Sequence, residues 1–371
     1  ADSSSSGRVS VGGSSSGILE TNGDHDWFAI DLQLGRNYEF RLNGTTLIDP
    51  HLRLYSAGGN LLASNDDASS GTLNSLISYT ATSSGRFFLD AGAYNEAGSG
   101  TYSLAATDVT PASTLYFSLA NNITSATATV LGGLTARTND IIAFNGSRFS
   151  VWLNGNASGL TGAVLRDFDI INPNEVVVAF NAPITLAGIA FDPTDLARLS
   201  RTSSGFAITM MLDGSDVGLT TSGEAIDAVT GLEDGSWLIS TRGAGSVPSG
   251  SRSISFTAED LLRFTPTSLG ANTAGSWSLY ADMSDVGLTT TNSNLAENVV
   301  AVDVNAAGRV VLVSQGNASA TGLNAANEDV FAWQPSRLGA NTAGSFLSSL
   351  VLDGSVHGLA ANALMGIDLV A

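Results

Sequence analysis

The 371-residue chain has no cysteine and no lysine, only three histidines, and just 13% charged residues. Each shortage closes off a class of function. Without cysteine there is no disulfide, thiolate metal centre or thiol nucleophile. Without lysine there is no phosphate loop of the usual kind. All fifteen basic residues are arginines, set against thirty-four acids, and the resulting net charge of −19 repels nucleic acid and anionic lipid. No nucleic-acid partner is expected. The histidines, His25, His51 and His357, are too few and too scattered for a Ser-His-Asp arrangement or an imidazole metal centre. No apolar run approaches the roughly 18 residues a membrane-crossing helix needs, so no membrane insertion is expected.

What is present is 41 glycines, abundant Ser, Thr, Asn and Ala, and 43% hydrophobic residues. That composition predicts turn-rich β structure with ample core, and the length predicts two domains. The polar opening Ala1-Asp2-Ser3-Ser4-Ser5-Ser6 is what a mature exported chain would show, and an extracellular location is the expectation. Residues 1–16 form a Ser/Gly-rich segment that needs something to order it. Strand addition onto a neighbouring copy and packing against its own propeller both serve.

Residues 17–108 alternate with period two. Trp27, Ala29 and Asp31 oppose Phe28, Ile30 and Leu32, and similar runs follow at residues 38–42, 51–55, 76–79 and 86–89, separated by turns such as Ala57-Gly58-Gly59-Asn60. An antiparallel sandwich is predicted. Gly23-Asp24-His25-Asp26-Trp27-Phe28, Asp49-Pro50-His51-Leu52-Arg53-Leu54-Tyr55, residues 59–67 and Gly100-Thr101-Tyr102-Ser103-Leu104 together resemble the bacterial pre-peptidase C-terminal domain, a jelly-roll module appended to secreted peptidases. The resemblance spans about residues 8–108 and implies a secreted accessory module. Some members of that family bind calcium or a polymeric ligand. It makes Asp49, Asn65, Asp66 and Asp67 candidate calcium ligands, against the plainer reading that these residues cap turns through their own backbone.

From residue 112 the chain repeats itself with a period of about 70 residues. Leu269-Gly270-Ala271-Asn272-Thr273-Ala274-Gly275-Ser276 recurs at residues 338–345, and Asp213-Gly214-Ser215-Asp216-Val217-Gly218-Leu219 recurs at 282–288 and 353–359, with a degraded copy at 154–160. Similar repeats occur in secreted bacterial proteins. Each unit holds four short strands, and the chain stops after the first strand of a blade. Residues 112–371 are therefore predicted to form a four-bladed β-propeller, closed by pairing of the C-terminal strand with the first propeller strand near Leu115.

Asp167, Asp227 and Asp368 read as one recurring position at the start of the innermost strand, with Val300 in the fourth copy; calcium on the axis and local loop capping are both open for them. Glu224, Glu259, Glu297 and Glu328 recur too, and recurrence argues for holding the fold rather than for catalysis. Five sequons, at Asn43, Asn122, Asn145, Asn156 and Asn317, are what an Asn-, Ser- and Thr-rich chain produces by composition. The expectation is a secreted, non-catalytic structural or adhesive protein that binds copies of itself or a cell-surface polymer. The alternative is a carbohydrate- or protein-binding accessory of a secreted hydrolase system.

Overall fold

The computed structural model describes residues 7–33, 36–109, 114–124, 130–203, 205–291, 294–360 and 362–370, and it is almost entirely β. No described helix is long and apolar enough to cross a membrane. The chain divides into two compact units, Ala1–Pro111 and Ala112–Ala371.

In the first unit a five-stranded and a four-stranded sheet face each other. Asp26–Leu32, Gly85–Ala93 and Pro50–Ser56 are consecutive neighbours in the larger sheet. Their alternation is physical: Phe28, Ile30, Leu52, Leu54, Phe87 and Leu89 point into one apolar core with Phe40, Tyr102 and Leu104 of the opposing sheet. The residues between them are left for the outer face.

The Ser/Gly-rich segment is not a free extension. Gly13–Leu19 pairs antiparallel along Gly100–Ala106, Gly7–Arg8 pairs parallel with Phe28–Ala29, and Val9 is buried in the core. A strand needs only backbone groups to pair, so a serine run serves as well as a valine run when a neighbour offers its edge. Gly17 is required there, because a Cβ would run into the Tyr102 hydroxyl. Residues 7–16 thus belong to the sandwich and are ordered by their own chain; residues 1–6 lie outside the described residues.

The second unit contains four four-stranded sheets, led by Leu364–Val370, Leu165–Asn172, Ile226–Gly231 and Val299–Val304. The first pairs Leu364–Val370 with Thr114–Leu119, so the last strand of the chain sits beside the first strand of the unit. The sheets remain separate and do not merge into one closed sheet. Apolar clusters fill the spaces between them. Ile141 and Leu153 pack with Phe168 and Val178 of the second sheet. Val177 and Leu196 pack with Trp237 and Phe264 of the third, and Leu238 and Leu261 with Val302 and Trp333 of the fourth. Val300 and Val311 return to Phe117 and Ile367 of the first.

Buried carboxylates tie each repeat together. Asp140, Asp195, Asp260 and Asp329 occupy equivalent turns, and each accepts two backbone N–H groups, one from its own turn and one from Gly155, Gly214, Met283 or Gly354. Neighbouring repeats are latched in the same way. Asp216 accepts from Thr273 N at 2.9 Å and Asp285 from Thr342 N at 2.8 Å. Each threonine hydroxyl in turn accepts the N–H of Asp213 or Asp282. The two recurrent sequence motifs are thus the two halves of one latch. In the last copy Val356 replaces the latching aspartate, and the adjoining His357 ring packs against Phe144 instead.

The leading strands meet through side chains. Each carries a one-residue bulge near its start, at Arg166, Asp227, Val300 and Met365. Counting from the bulges corrects the expected aspartate position: Asp167, Asp227 and Asp368 lie at three different levels. Asp227 is level with Arg166, Asp167 with Ala228, and Asp368 with Asp169, Thr230 and Asp303. All four bulges fall at the same level, so they give the common origin from which the strands are counted.

Fully buried Asp167 accepts backbone N–H groups from the other three leading strands, from Val229 at 2.7 Å, Ile367 at 3.0 Å and Val302 at 3.2 Å. An orphaned buried donor costs about 1–3 kcal/mol. Asp167→Ala is therefore expected to lower the stability of the second unit by on the order of 3 kcal/mol or more in denaturant titration. The exposed cap variant Asp353→Ala should cost much less.

Candidate functional site

The outer face of the five-stranded sheet carries the residues that the alternation leaves outside the core. Trp27 stacks on Tyr55, ring centroids 4.7 Å apart at 24°, with Phe88 tilted against Trp27 at 6.1 Å. Trp27 and Tyr55 are both part exposed, so the pair forms an aromatic step on the surface.

Beside the step lies a closed polar ring. His25 Nδ1 is 2.8 Å from Asp90 and Nε2 is 2.6 Å from Glu96, while Arg53 reaches Asp90 at 3.5 Å and Glu96 at 2.9 Å. Asp90 is 2% exposed. Burial opposes the charged imidazole, but hydrogen bonds and charge from Asp90 and Glu96 outweigh it and hold the His25 pKa above the ordinary histidine value. Burial and the neighbouring Arg53 push His51 the other way, and its Nδ1 is buried without a hydrogen bond. The ring joins residues 71 positions apart, which no local motif advertises.

Asp49, Asp66 and Asp67 are brought near one another: burial first, then the Asp67 and Asp66 charges, raise the Asp49 carboxyl above its usual range. Part of the set caps turns and strands. Asn65 spends its side-chain oxygen on Leu76 N at 2.8 Å and its amide on the Asp67 carbonyl, and Asp66 caps Asp67 N. Asp167 and Asp227 are engaged within the protein too. Asp167 is occupied by three backbone donors, and Asp227 accepts from Arg166 Nε at 2.7 Å and Asn298 Nδ2 at 2.7 Å. Among the described residues no three Asp, Glu or His groups converge as a metal centre would require.

Asp169, Asp303 and Asp368 lie at one level of the leading strands and bond across to neighbouring ones; of the three, only Asp368 was expected as a site residue. Asp368 accepts from Ile170 N, Asp169 from Gly231 N at 3.1 Å and Asp303 from Leu369 N at 2.9 Å. Thr230 Oγ1 completes the circuit with bonds to Asp169 and Asp303. Burial raises Asp169 to about 6, and burial with the Asp303 and Asp169 charges raises Asp368 well above the carboxylate range. The recurring glutamates brace loops: Glu224 accepts from Thr220, Thr221 and Ser246 N, and Glu297 from Thr289 and Ser319 N.

Residues 24–93 match the bacterial pre-peptidase C-terminal domain. This domain is typical of secreted proteins and is a non-catalytic accessory. The aromatic step and the polar ring lie within the stretch that matches this domain, apart from Glu96 just beyond it. Among solved structures, the chain is similar to the pre-peptidase C-terminal domain of collagenase from Bacillus anthracis, at 17% identity over 27% of this chain and 92% of that one, TM-score 0.24. It is also similar to PliG of Aeromonas hydrophila, a periplasmic inhibitor of g-type lysozyme, at 13% identity over 26% and 83%, TM-score 0.22. A protein of unknown function from Bacteroides caccae shares 10% identity over 64% and 57%, TM-score 0.24. No curated protein matches the chain.

Two pH responses follow, and their signs agree. The raised His25 pKa gives the sandwich stability that is full below about 6.5 and lost as pH rises through the folded value. Hydrogen exchange of the Asp26–Leu32 and Gly85–Ala93 amides should quicken, after correction for intrinsic rate, between mildly acid and mildly alkaline pH. His25→Gln should remove that dependence and cost about 1–3 kcal/mol at low pH. Asp169 and Asp260, both at about 6, are easier to protonate folded than unfolded. Their contribution is full below about 4 and lost as pH rises through about 6. Calorimetry should show the second unit melting higher at pH 5.5 than at 7.5, with Asp368→Asn flattening the slope.

Proposed function

We propose that this is an extracellular, non-catalytic binding protein whose sandwich holds a polymer against the Trp27–Tyr55 step. The observation that carries the reading is a stacked aromatic pair, part exposed, on an accessory-domain face and bordered by fixed hydrogen-bonding groups. A flat aromatic surface suits the C–H face of a sugar ring or a prolyl ring, and neighbouring charged groups give orientation. The non-catalytic part of the reading is supported by how the histidines are engaged. His25 is held between two acids, His51 lies beside Tyr94, and His357 packs on Phe144.

The second unit is, in this reading, a four-bladed β-propeller. Its support is the cycle of apolar clusters from sheet to sheet, the side-chain circuit through all four leading strands, and the pairing of Leu364–Val370 with Thr114–Leu119. Residues 7–19 pair within the sandwich, so strand addition onto a neighbouring copy is not what orders them.

Trp27→Ala and Tyr55→Ala should each weaken retention on the bound polymer at least tenfold, about 1.4 kcal/mol, without lowering the melting temperature of the second unit. Co-sedimentation with insoluble polysaccharides and with fibrous protein, run on wild type and variants, measures this. Retention by none of them, or retention indifferent to both substitutions, would overturn the polymer-binding role.

A further inference from the structure

A cleft of about 430 Å³ in the second unit is lined by Asp192, Thr194, Thr220, Ser222, Ala225 and Arg242, with Pro193 and Leu219 adding apolar wall. It lies where the internal repeat breaks. Four backbone hydrogen bonds mark equivalent places: Ala120 N to Ala363 O, Asn181 N to Val164 O, Arg242 N to Ala225 O, and Gln315 N to Asn298 O. Arg242 therefore stands where the other copies have Ala120, Asn181 and Gln315. Ala225 stands where they have Ala363, Val164 and Asn298. Three copies build the same local backbone without a charge at this position, so the scaffold does not require the arginine.

The surroundings fix the guanidinium and leave its charge in excess. Arg242 donates through one terminal nitrogen to the Asn181 carbonyl at 3.1 Å and side-chain oxygen at 3.0 Å. Its Nε is 3.6 Å from Asp227 but makes no hydrogen bond. Asp227 is already engaged by Arg166 and by Asn298. Two guanidiniums thus share one carboxylate, and a third of the Arg242 side chain is exposed. In the next repeat Asn298 bonds Gln315 across the equivalent gap at 3.0 Å, whereas Ala225 is too short to reach Arg242 this way. The hydroxyls of Thr194, Thr220 and Ser222 have no hydrogen-bond partner among the described residues.

We infer that this cleft binds a hexuronic acid unit, its carboxylate on Arg242 and its hydroxyls on the Thr194, Thr220, Ser222 and Asp192 side chains. The terminal nitrogen of Arg242 that Asn181 does not occupy can donate a charge-assisted hydrogen bond to a carboxylate. One uncompensated positive charge, with Asp192 lining the same cleft, suits a monoanion and disfavours a phosphate dianion. The exposed Asp192 carboxylate and the free hydroxyls suit a ligand rich in O–H groups, and the cleft volume is in the range of small-molecule sites. This site is independent of the polymer-binding face proposed for the sandwich.

Titration calorimetry of the full chain at low salt, with D-glucuronate, D-glucose and acetate as probes, tests it. Saturable glucuronate binding at least tenfold tighter than glucose or acetate is expected. The double variant Ala225→Asn/Arg242→Gln copies the Asn298–Gln315 pair of the neighbouring repeat, which protects the fold. It should melt like the parent and bind glucuronate no better than glucose. Trp27→Ala should leave glucuronate affinity unchanged. Equal affinity for glucuronate and glucose, no saturable binding, undiminished binding by the double variant, or loss of binding in Trp27→Ala would each overturn the assignment.

Discussion

The second unit depends on one interaction used many times: a buried carboxylate accepting backbone N–H groups. Twelve acids are buried among the described residues, in a chain with no disulfide to hold its turns. Asp140, Asp195, Asp260 and Asp329 each join a turn to a marker loop, and Asp167 joins four strands at once. A carboxylate is suited to this because its two oxygens accept from several directions, whereas an amide must also place its own donors. Desolvation is the cost, and it shows as raised pKa values wherever the backbone donors do not offset burial. The large formal charge is accordingly in part an interior charge, and the surface is less acidic than the composition suggests.

Much of the architecture was legible because it follows from alternation and repetition. Leu52 and Leu54 against His51, Arg53 and Tyr55 already separate the core of the sandwich from its outer face. The recurrent Leu-Gly-Ala-Asn-Thr and Asp-Gly-Ser-Asp motifs announce equivalent units, although only the structure reveals that one grips the other. What was not legible is what a pattern cannot encode. The level of a residue along a leading strand is set by its pairing partner, so three aspartates that look equivalent in the sequence lie at three levels. The serine strand was hidden because its pairing is a property of the backbone.

The candidate sites differ in how they could have been found. The ring of His25, Arg53, Asp90 and Glu96 draws on three separate segments and carries no local signature. Arg242 was visible in principle as the one charged residue at a position that is Ala, Asn or Gln in the other repeats. In a repetitive scaffold recurrence marks what the fold needs, and departure from recurrence marks what it does not. The same contrast separates Glu224 and Glu297, which brace equivalent loops, from Ala225 and Asn298, which do different things in equivalent places.

The pairing of Thr114 with Val370 sets the mechanical character of the second unit. Antiparallel neighbours lie about 5 Å apart, so the unit's two ends leave from almost the same point and in the same direction. A pull applied between them would open the Thr114–Leu119 and Leu364–Val370 ladder one rung after another, like a zipper, rather than loading all its hydrogen bonds together in shear. Each broken rung would bring the force nearer to Ile367, whose N–H is held by Asp167. Tension between the two ends would therefore be resisted first by single backbone bonds and only then by the Asp167 carboxylate that joins all four leading strands.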